Sequence, residues 1–191
     1  MTFVALVRHG ETDWNFYRRL QGSSDIPLNE LGRAQAREAA AELAGSSWDL
    51  LVSSPLSRAS ETADIIGARI GLQRSHDHTD LAERHFGEAE GMTDYEAYSR
   101  WPSGRYPGME RRSDLIARTR GRLDSIAGEY PGSAVVVVAH GGVIRAILDS
   151  IIGRSSPRIV NAGISTLTND SGSWEVRTVN SLPLERYQWW M

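Results

Sequence analysis

The sequence predicts an α/β fold: a three-layer αβα sandwich around a mostly parallel central sheet. Short apolar runs at Phe3–Val7, Leu50–Val52 and Ala134–Ala139 alternate with longer stretches of helical period. Strand–helix alternation with right-handed crossovers builds a parallel sheet. The run Val135-Val136-Val137-Val138 is β-branched and apolar on both faces, as befits a central strand covered on both sides. At 191 residues, 40% hydrophobic and 24% charged, the chain reads as one globular domain, 1–191.

Each element has a local reason. Phe3–Val7 is too short for a helix and ends at charged residues and glycine, so it reads as a buried strand. Asn29 can cap a helix whose apolar stripe is Ala36, Ala39, Ala40 and Leu43, with Gly45 at its end. Leu50–Val52 is a second strand. Ser54-Pro55 then offers an N-cap and a first-turn proline for a helix repeating Ala59, Thr62, Ala63, Ile66 and Ile70 up to Gly71. From about Met92 to Arg112 periodicity lapses among aromatic residues, prolines and arginines. That segment reads as a short helix plus a mobile loop, the place for a lid. A helix through Ile116, Thr119, Leu123 and Ile126 closes at Tyr130-Pro131-Gly132, and Gly141-Gly142 opens another after the central strand. Ser165–Thr168 and Trp174–Arg177 alternate and are expected to add edge strands. Tyr187, Trp189 and Trp190 are expected to pack on the body or on an oligomer partner, so a homodimer is possible.

Composition removes several chemistries. All 21 basic residues are arginine, and there is no cysteine. Schiff-base and Walker lysines, thiolate catalysis and cysteine-ligated metals are therefore excluded. The net charge of −3 gives no nucleic-acid footprint. The N-terminus lacks the basic and long apolar regions of a signal peptide, and no segment has the roughly 20 apolar residues of a membrane span. The expectation is a cytoplasmic protein with no membrane or nucleic-acid partner.

Ligands of open α/β sheets bind beyond the carboxyl ends of the strands. The first strand ends at Arg8-His9-Gly10, the second at Ser53-Ser54 with Arg58 a turn further on, and the central one at His140-Gly141-Gly142. Two histidines and two arginines thus meet at one rim, where helix N-termini also favour an anion. The constellation reads as a phosphate pocket holding a nucleophile. Neutral imidazole is nucleophilic near pH 7, Arg8 and Arg58 supply forks for the phosphoryl oxygens, and His140 adds a cation or donor. The leaving alkoxide needs an acid on a nearby loop, held protonated by burial or crowding anions. Glu83 is the candidate.

Other groups have blander readings. His76 and His78 share a strand face like a metal pair, but no third ligand is evident. Arg100, Arg105, Arg111 and Arg112 read as a solvated face.

Leu6-Val7-Arg8-His9-Gly10-Glu11-Thr12-Asp13-Trp14-Asn15 resembles the opening motif of the histidine phosphatase superfamily, also called phosphoglycerate mutase-like. Gln21-Gly22 with Pro27 to Gly32 resembles its phosphate loop and helix entry, and Ser53 to Ala59 its second arginine motif. Glu83 to Gly87 with Glu90-Gly91 resembles its acid loop, and Ala139-His140-Gly141-Gly142 its second histidine motif. The resemblance implies that His9 is phosphorylated and that Glu83 is the proton donor. It also implies that Arg8, Arg58 and His140 clamp phosphate, with Asn15, Gln21, Gly22 and Gly141 beside them. For the phosphatase members it implies a mechanism without metal or cofactor, acting on a small phosphorylated substrate.

Two branches compete. Glu83-Arg84-His85-Phe86-Gly87 and the pair Arg111-Arg112 resemble the 2,3-bisphosphoglycerate-dependent phosphoglycerate mutases, in which Arg84, Arg111 and Arg112 would grip a carboxylate. Mutases are longer through the middle and carry a lysine that this chain lacks. Gly108-Met109-Glu110 with Asp114 and Arg118 resembles the phosphatase branch instead. Ala89 stands where the family usually has a larger apolar residue. The reading is a metal-independent phosphomonoesterase working through phosphohistidine. A mutase is the alternative, and a non-catalytic binding protein of the same fold is a third.

Overall fold

A computed structural model describes residues 1–190, with side chains for all but 188–190. The strands are β1 (Thr2–Arg8), β2 (Leu50–Ser53), β3 (His76–Asp77), β4 (Ala134–Ala139), β5 (Ile164–Asp170), β6 (Ser173–Val179) and β7 (Leu182–Pro183). They form one sheet in the order β3-β2-β4-β1-β5-β6-β7. The first four are mutually parallel, β5 pairs antiparallel with β1, and β6 and β7 continue as an antiparallel meander. Here the sequence reading needs correction: β5 is an interior strand between β1 and β6, and the edge positions belong to the two-residue strands β3 and β7. Thr166 and Thr168 made β5 look half-exposed, but Ile164, Ser165, Leu167 and Thr168 are all buried.

Among the described residues the α-helices are α1 (Asp13–Phe16), α2 (Glu30–Leu43), α3 (Ser57–Ile70), α4 (Asp94–Arg100), α5 (Arg112–Glu129) and α6 (Gly141–Ile152), and α2, α3, α5 and α6 pack on the sheet. Strand alternation sorts β4 cleanly between two cores. Val135, Val137 and Ala139 pack with Leu123, Ile126, Ile144 and Ile147 of α5 and α6. Val136 and Val138 pack with Ala39, Ala40, Ala63 and Ile66 of α2 and α3. This is the three-layer sandwich. Alanines on α2 and α3 let those helices lie close to the sheet, and Gly10 and Gly32 bring the α2 entry against the end of β1. A Cβ on Gly10 would lie 2.2 Å from the Gly32 carbonyl oxygen.

Asn29 caps α2 by accepting the Gly32 N–H at 2.8 Å, as its position predicts. Ser54 does not cap α3, which begins later, at Ser57 after an extended Leu56. The Ser54 hydroxyl meets His140 instead, and that competing partner removes it from the helix. The segment 92–112 holds α4 and an irregular stretch, attached by the bridges Arg19↔Thr93 and Phe86↔Met109. Tyr187 packs on the α5–α6 core, and its hydroxyl donates to the Val179 carbonyl at 3.0 Å. The side chains of Trp189 and Trp190 lie outside the described residues. Among the described residues, no helix is long and apolar enough to cross a membrane.

Candidate active site

The parallel pairing of β1 with β4 sets Arg8 opposite Ala139, so the next residues, His9 and His140, emerge side by side. The His9 N–H bonds the Ala139 carbonyl at 2.9 Å, and the two imidazoles stand 5.2 Å apart. Both rings are buried. His9 Nδ1 lies 2.7 Å from the Gly10 carbonyl oxygen. A carbonyl only accepts, so Nδ1 carries the proton and Nε2 presents its lone pair. Burial, reinforced by the charges of Arg8 and Arg58, holds the His9 pKa well below its ordinary value. The ring is therefore neutral at physiological pH. His140 is held low in the same way, by burial and then by Arg58, His9 and Arg8. Its Nε2 meets the Ser54 hydroxyl at 2.7 Å, while Nδ1 is buried without a protein partner.

Both arginines are aimed by main-chain carbonyls. Arg58, fully buried on the first turn of α3, donates to the Ser24 and Gly22 carbonyls, each at 2.8 Å. Arg8 donates to the Ile159 carbonyl at 2.8 Å. Neither forms an ion pair among the described residues, and the Nε of each is buried and unpartnered. Burial lowers the Arg8 pKa to about 10, and it lowers that of Arg58 as well. Two desolvated guanidinium groups with donors to spare are costly in isolation and are stabilised by an anion.

Loops complete the site. Gln21 to Ser24 runs past Arg58, with Gly22 left-handed at φ +54°. The carboxylate of Glu90 holds this loop, accepting the Ser23 and Ser24 N–H groups at 3.0 Å and the Ser24 hydroxyl at 2.7 Å. Glu90 also accepts the Phe86 N–H at 3.1 Å, which ties the loop of Gln21 to Ser24 to the loop that carries Glu83. Burial would raise its pKa, but the hydrogen bonds from Ser24, Ser23 and Phe86 prevail and hold it below the ordinary value. Glu83 accepts the Gly142 N–H at 3.0 Å and the Arg84 N–H at 2.8 Å. That approach to the start of α6 requires glycine, because a Cβ at Gly142 would lie 2.4 Å from Glu83 Oε1. The Glu83 loop is anchored from behind by Arg118, which donates to the Asp80 carbonyl at 2.7 Å and pairs with Glu110 at 2.7 Å.

A cavity of about 230 Å³ lies at this rim, and all the residues read from the sequence as a site line it except His140. His140 sits directly behind, against His9. Asn15 faces the cavity with its Oδ1 taken by the Asn161 amide at 3.0 Å, which leaves its donor end for a ligand. The cavity also has walls that sequence reasoning missed: Arg19, Arg145 and Arg158, with the apolar Leu20, Phe86 and Ile159. Arg145 had a usable signal, since it lies one helical turn after Gly141. Arg158, in an irregular loop, had none. Arg84, Arg111 and Arg112 are not among the lining residues. Arg84 donates through Nε and Nη2 to the Glu110 carbonyl, and Arg112 pairs with Asp149. No residue of 92–112 lines the cavity either. His76 and His78 stand at the β3 edge, 6.1 Å apart. Among the described residues no group of three or more His, Asp or Glu is placed to hold a metal ion.

Comparison with known proteins identifies the family. The sequence profile of the histidine phosphatase superfamily (branch 1) matches residues 4–182. The uncharacterized phosphatase PhoE of Bacillus subtilis is 42% identical over 184 residues, which span 94% of this chain and 95% of its own. Mycobacterial glucosyl-3-phosphoglycerate phosphatase, solved with VO3, superposes with a TM-score of 0.86 at 33% identity, covering 93% of this chain and 98% of that one. A histidine-to-alanine variant of the phosphoserine phosphatase of Entamoeba histolytica, solved with phosphoserine, superposes with a TM-score of 0.83 at 28% identity, covering 95% and 98%. The chain belongs to the histidine phosphatase superfamily, branch 1, and is a hydrolase of phosphate monoesters.

Proposed function

We propose that the enzyme passes the phosphoryl group of a small phosphorylated metabolite to Nε2 of His9 and then to water, using neither metal nor cofactor. The observation that carries this reading is the neutral His9, its Nδ1–H fixed on the Gly10 carbonyl, set between two buried guanidinium groups that have no carboxylate partner. Arg8 and Arg58 fork the equatorial oxygens, and the unpartnered Nδ1 of His140 is available to a third. In-line attack by Nε2 forms the N–P bond as the ester P–O bond breaks. Glu83, on the α6 side of the cavity, delivers a proton to the departing alkoxide. In the free enzyme its carboxylate accepts two main-chain N–H groups. The bound ester, whose second proton has a pKa near about 6, supplies the proton that Glu83 relays. In the second half, Glu83 takes a proton from water, the water oxygen bonds to phosphorus, and the N–P bond breaks to restore His9. Positive charge on phosphoryl oxygens supplies what a metal supplies elsewhere.

Hydrolysis is favoured over mutase action because none of Arg84, Arg111 and Arg112 lines the cavity, and Arg84 and Arg112 are engaged with Glu110 and Asp149. Within this reading the segment 92–112 is a specificity lid: its two bridges seat Arg19 and Phe86, both cavity walls. Phosphoserine, the ligand of the E. histolytica relative, sets the scale of substrate that suits a cavity of about 230 Å³.

The test is a panel of phosphorylated metabolites and p-nitrophenyl phosphate, assayed for phosphate release after exhaustive EDTA treatment, with 3-phosphoglycerate run with and without 2,3-bisphosphoglycerate. Release that survives EDTA, with little 2-phosphoglycerate formed, is the expected result. Rapid bisphosphoglycerate-dependent isomerisation with negligible release would establish the mutase, and activity restored only by zinc or manganese would remove the metal-free mechanism.

A further inference from the structure

The two histidines are the same chemical group in the same charge state, yet the proposed reaction asks opposite things of them. Burial and the neighbouring guanidinium charges keep both rings neutral, and a neutral imidazole has one N–H and one lone pair. Which nitrogen holds the proton is set by the partner of the other. His9 places its Nδ1–H on the Gly10 carbonyl at 2.7 Å, which frees the Nε2 lone pair for attack. His140 is anchored through the opposite nitrogen. Its Nε2 lies 2.7 Å from the Ser54 hydroxyl, and its Nδ1 is buried without a protein partner.

A hydroxyl both donates and accepts, so the other contacts of Ser54 decide the direction of that bond. Ser54 is fully buried, and its Oγ already accepts the Leu56 N–H at 3.3 Å. Among the described residues, His140 Nε2 is the one acceptor within reach of the hydroxyl proton. Were the ring proton on Nε2, the Ser54 O–H would be left buried without an acceptor, and a buried unmet donor is costly. With the hydroxyl donating, the serine is satisfied and the ring proton moves to Nδ1. The backbone of Ser54 fixes this geometry. Its N–H continues the β2–β4 ladder to the Val138 carbonyl at 2.9 Å, two residues before His140, and its own carbonyl accepts the Ser53 and Ser60 hydroxyls at 2.9 and 3.2 Å.

We propose that Ser54 is a positioning residue that locks His140 in the Nδ1–H tautomer, so that the second histidine serves as a neutral hydrogen-bond donor to a phosphoryl oxygen. The use of that donor rests on the phosphatase reading; the tautomer does not. Two identical rings on adjacent strands thus take opposite roles because one is tied through Nδ1 and the other through Nε2. A lone pair on the unpartnered nitrogen of His140 would repel a phosphoryl oxygen, whereas an N–H attracts it in both half-reactions.

Nitrogen NMR of the 15N-histidine-labelled protein at about pH 8, above the imidazole range, tests the tautomer directly. His140, assigned by the signals that vanish in His140→Gln, should show a protonated Nδ1 and an unprotonated Nε2. In Ser54→Ala the population should move toward Nε2–H. There kcat/KM should fall by about fivefold to a hundredfold, the scale of one buried hydrogen bond lost, by a similar factor for p-nitrophenyl phosphate and glycerol phosphate. Ser54→Thr, which retains the hydroxyl, should keep the tautomer and most of the rate. A protonated Nε2 in the unsubstituted protein would overturn the proposal, and that spectrum needs neither variant to fold. An unchanged tautomer in Ser54→Ala, or a loss confined to the poor leaving group, would overturn it as well. If no ester is hydrolysed, the phosphatase reading fails, and the spectra still decide whether Ser54 sets the tautomer.

Discussion

Arg8, His9 and His140 leave the ends of two hydrogen-bonded strands, whereas Gln21 to Ser24 and Glu83 reach the same cavity from segments without a ladder of their own. The first group inherits its spacing from the β1–β4 register and from the buried valines beneath it. The second is held by a few polar links: Glu90 to Ser23, Ser24 and Phe86, Glu83 to Gly142, and Arg118 to Glu110. The division matches the chemistry we propose. Nucleophile and charge clamp must be fixed within fractions of an ångström in both half-reactions. The acid meets a different group in each, first a departing alkoxide and then a water. Loops are the parts of a fold that open at low free-energy cost.

Substitutions should therefore separate the two halves. The largest effect is expected at the strand-borne nucleophile. His9→Ala should lower turnover by about 10⁴-fold or more and abolish the acid-labile, alkali-stable label that quenched reactions leave on the protein. Label on a serine, or label persisting in the variant, would show that His9 is not the acceptor. Glu83→Gln, on the loop side, should cost about 10²- to 10⁴-fold with glycerol phosphate but much less with p-nitrophenyl phosphate, whose leaving group hardly needs a proton. Equal losses on both esters would reduce Glu83 to a shaping role.

Glu90 touches no reacting atom, so it should act as a positioning residue. Glu90→Gln keeps the shape but weakens the bonds that hold Ser23 and Ser24 and, through the Gly22 and Ser24 carbonyls of the same loop, Arg58. A fall in kcat/KM of about tenfold to a hundredfold, similar for good and poor leaving groups, is expected. A loss confined to poor leaving groups would place Glu90 in proton transfer instead.

The smallest effect is on stability and again falls on the strand side. Both histidines have folded pKa values below the unfolded one of about 6.5. The unfolded chain thus takes up protons that the folded protein refuses. Their contribution is complete above about pH 6.5 and is lost as pH falls from there toward the folded values, by up to about 1.4 kcal/mol per pH unit for each ring. Urea titrations between pH 7 and 5 should show this decline, and His9→Ala should flatten it by about one proton. An unchanged slope would mean that His9 is not held neutral by the fold.

The strand-borne half was also the legible half. A short apolar run ending in Arg8-His9-Gly10, and a β-branched run ending in His140-Gly141-Gly142, announce their position because strand period and abrupt polarity are local signals. Glu83 is a candidate from its place on a loop near the rim, but its assignment leans on resemblance to a family, since nothing nearby in sequence distinguishes it from a surface carboxylate. Ser54 was misread as a helix cap because its real partner, His140, lies 86 positions away. β5 was misplaced to an edge because its threonines look solvent-directed until strand neighbours and packing cover them. Arg145 was one helical turn from a recognised glycine and could have been found by period. Arg158 depends on where an irregular loop returns, which no local rule encodes.

The acceptors that orient the two clamp arginines are the carbonyl oxygens of Gly22, Ser24 and Ile159. Every residue type carries that oxygen, so the side chain at position 159 can change without removing the contact that aims Arg8. The identity of this cavity wall is thereby uncoupled from the aim of the arginine behind it. The same property makes position 159 a natural site for library-based respecification, with the retained path of the main chain, rather than the side chain it carries, as the constraint on the design.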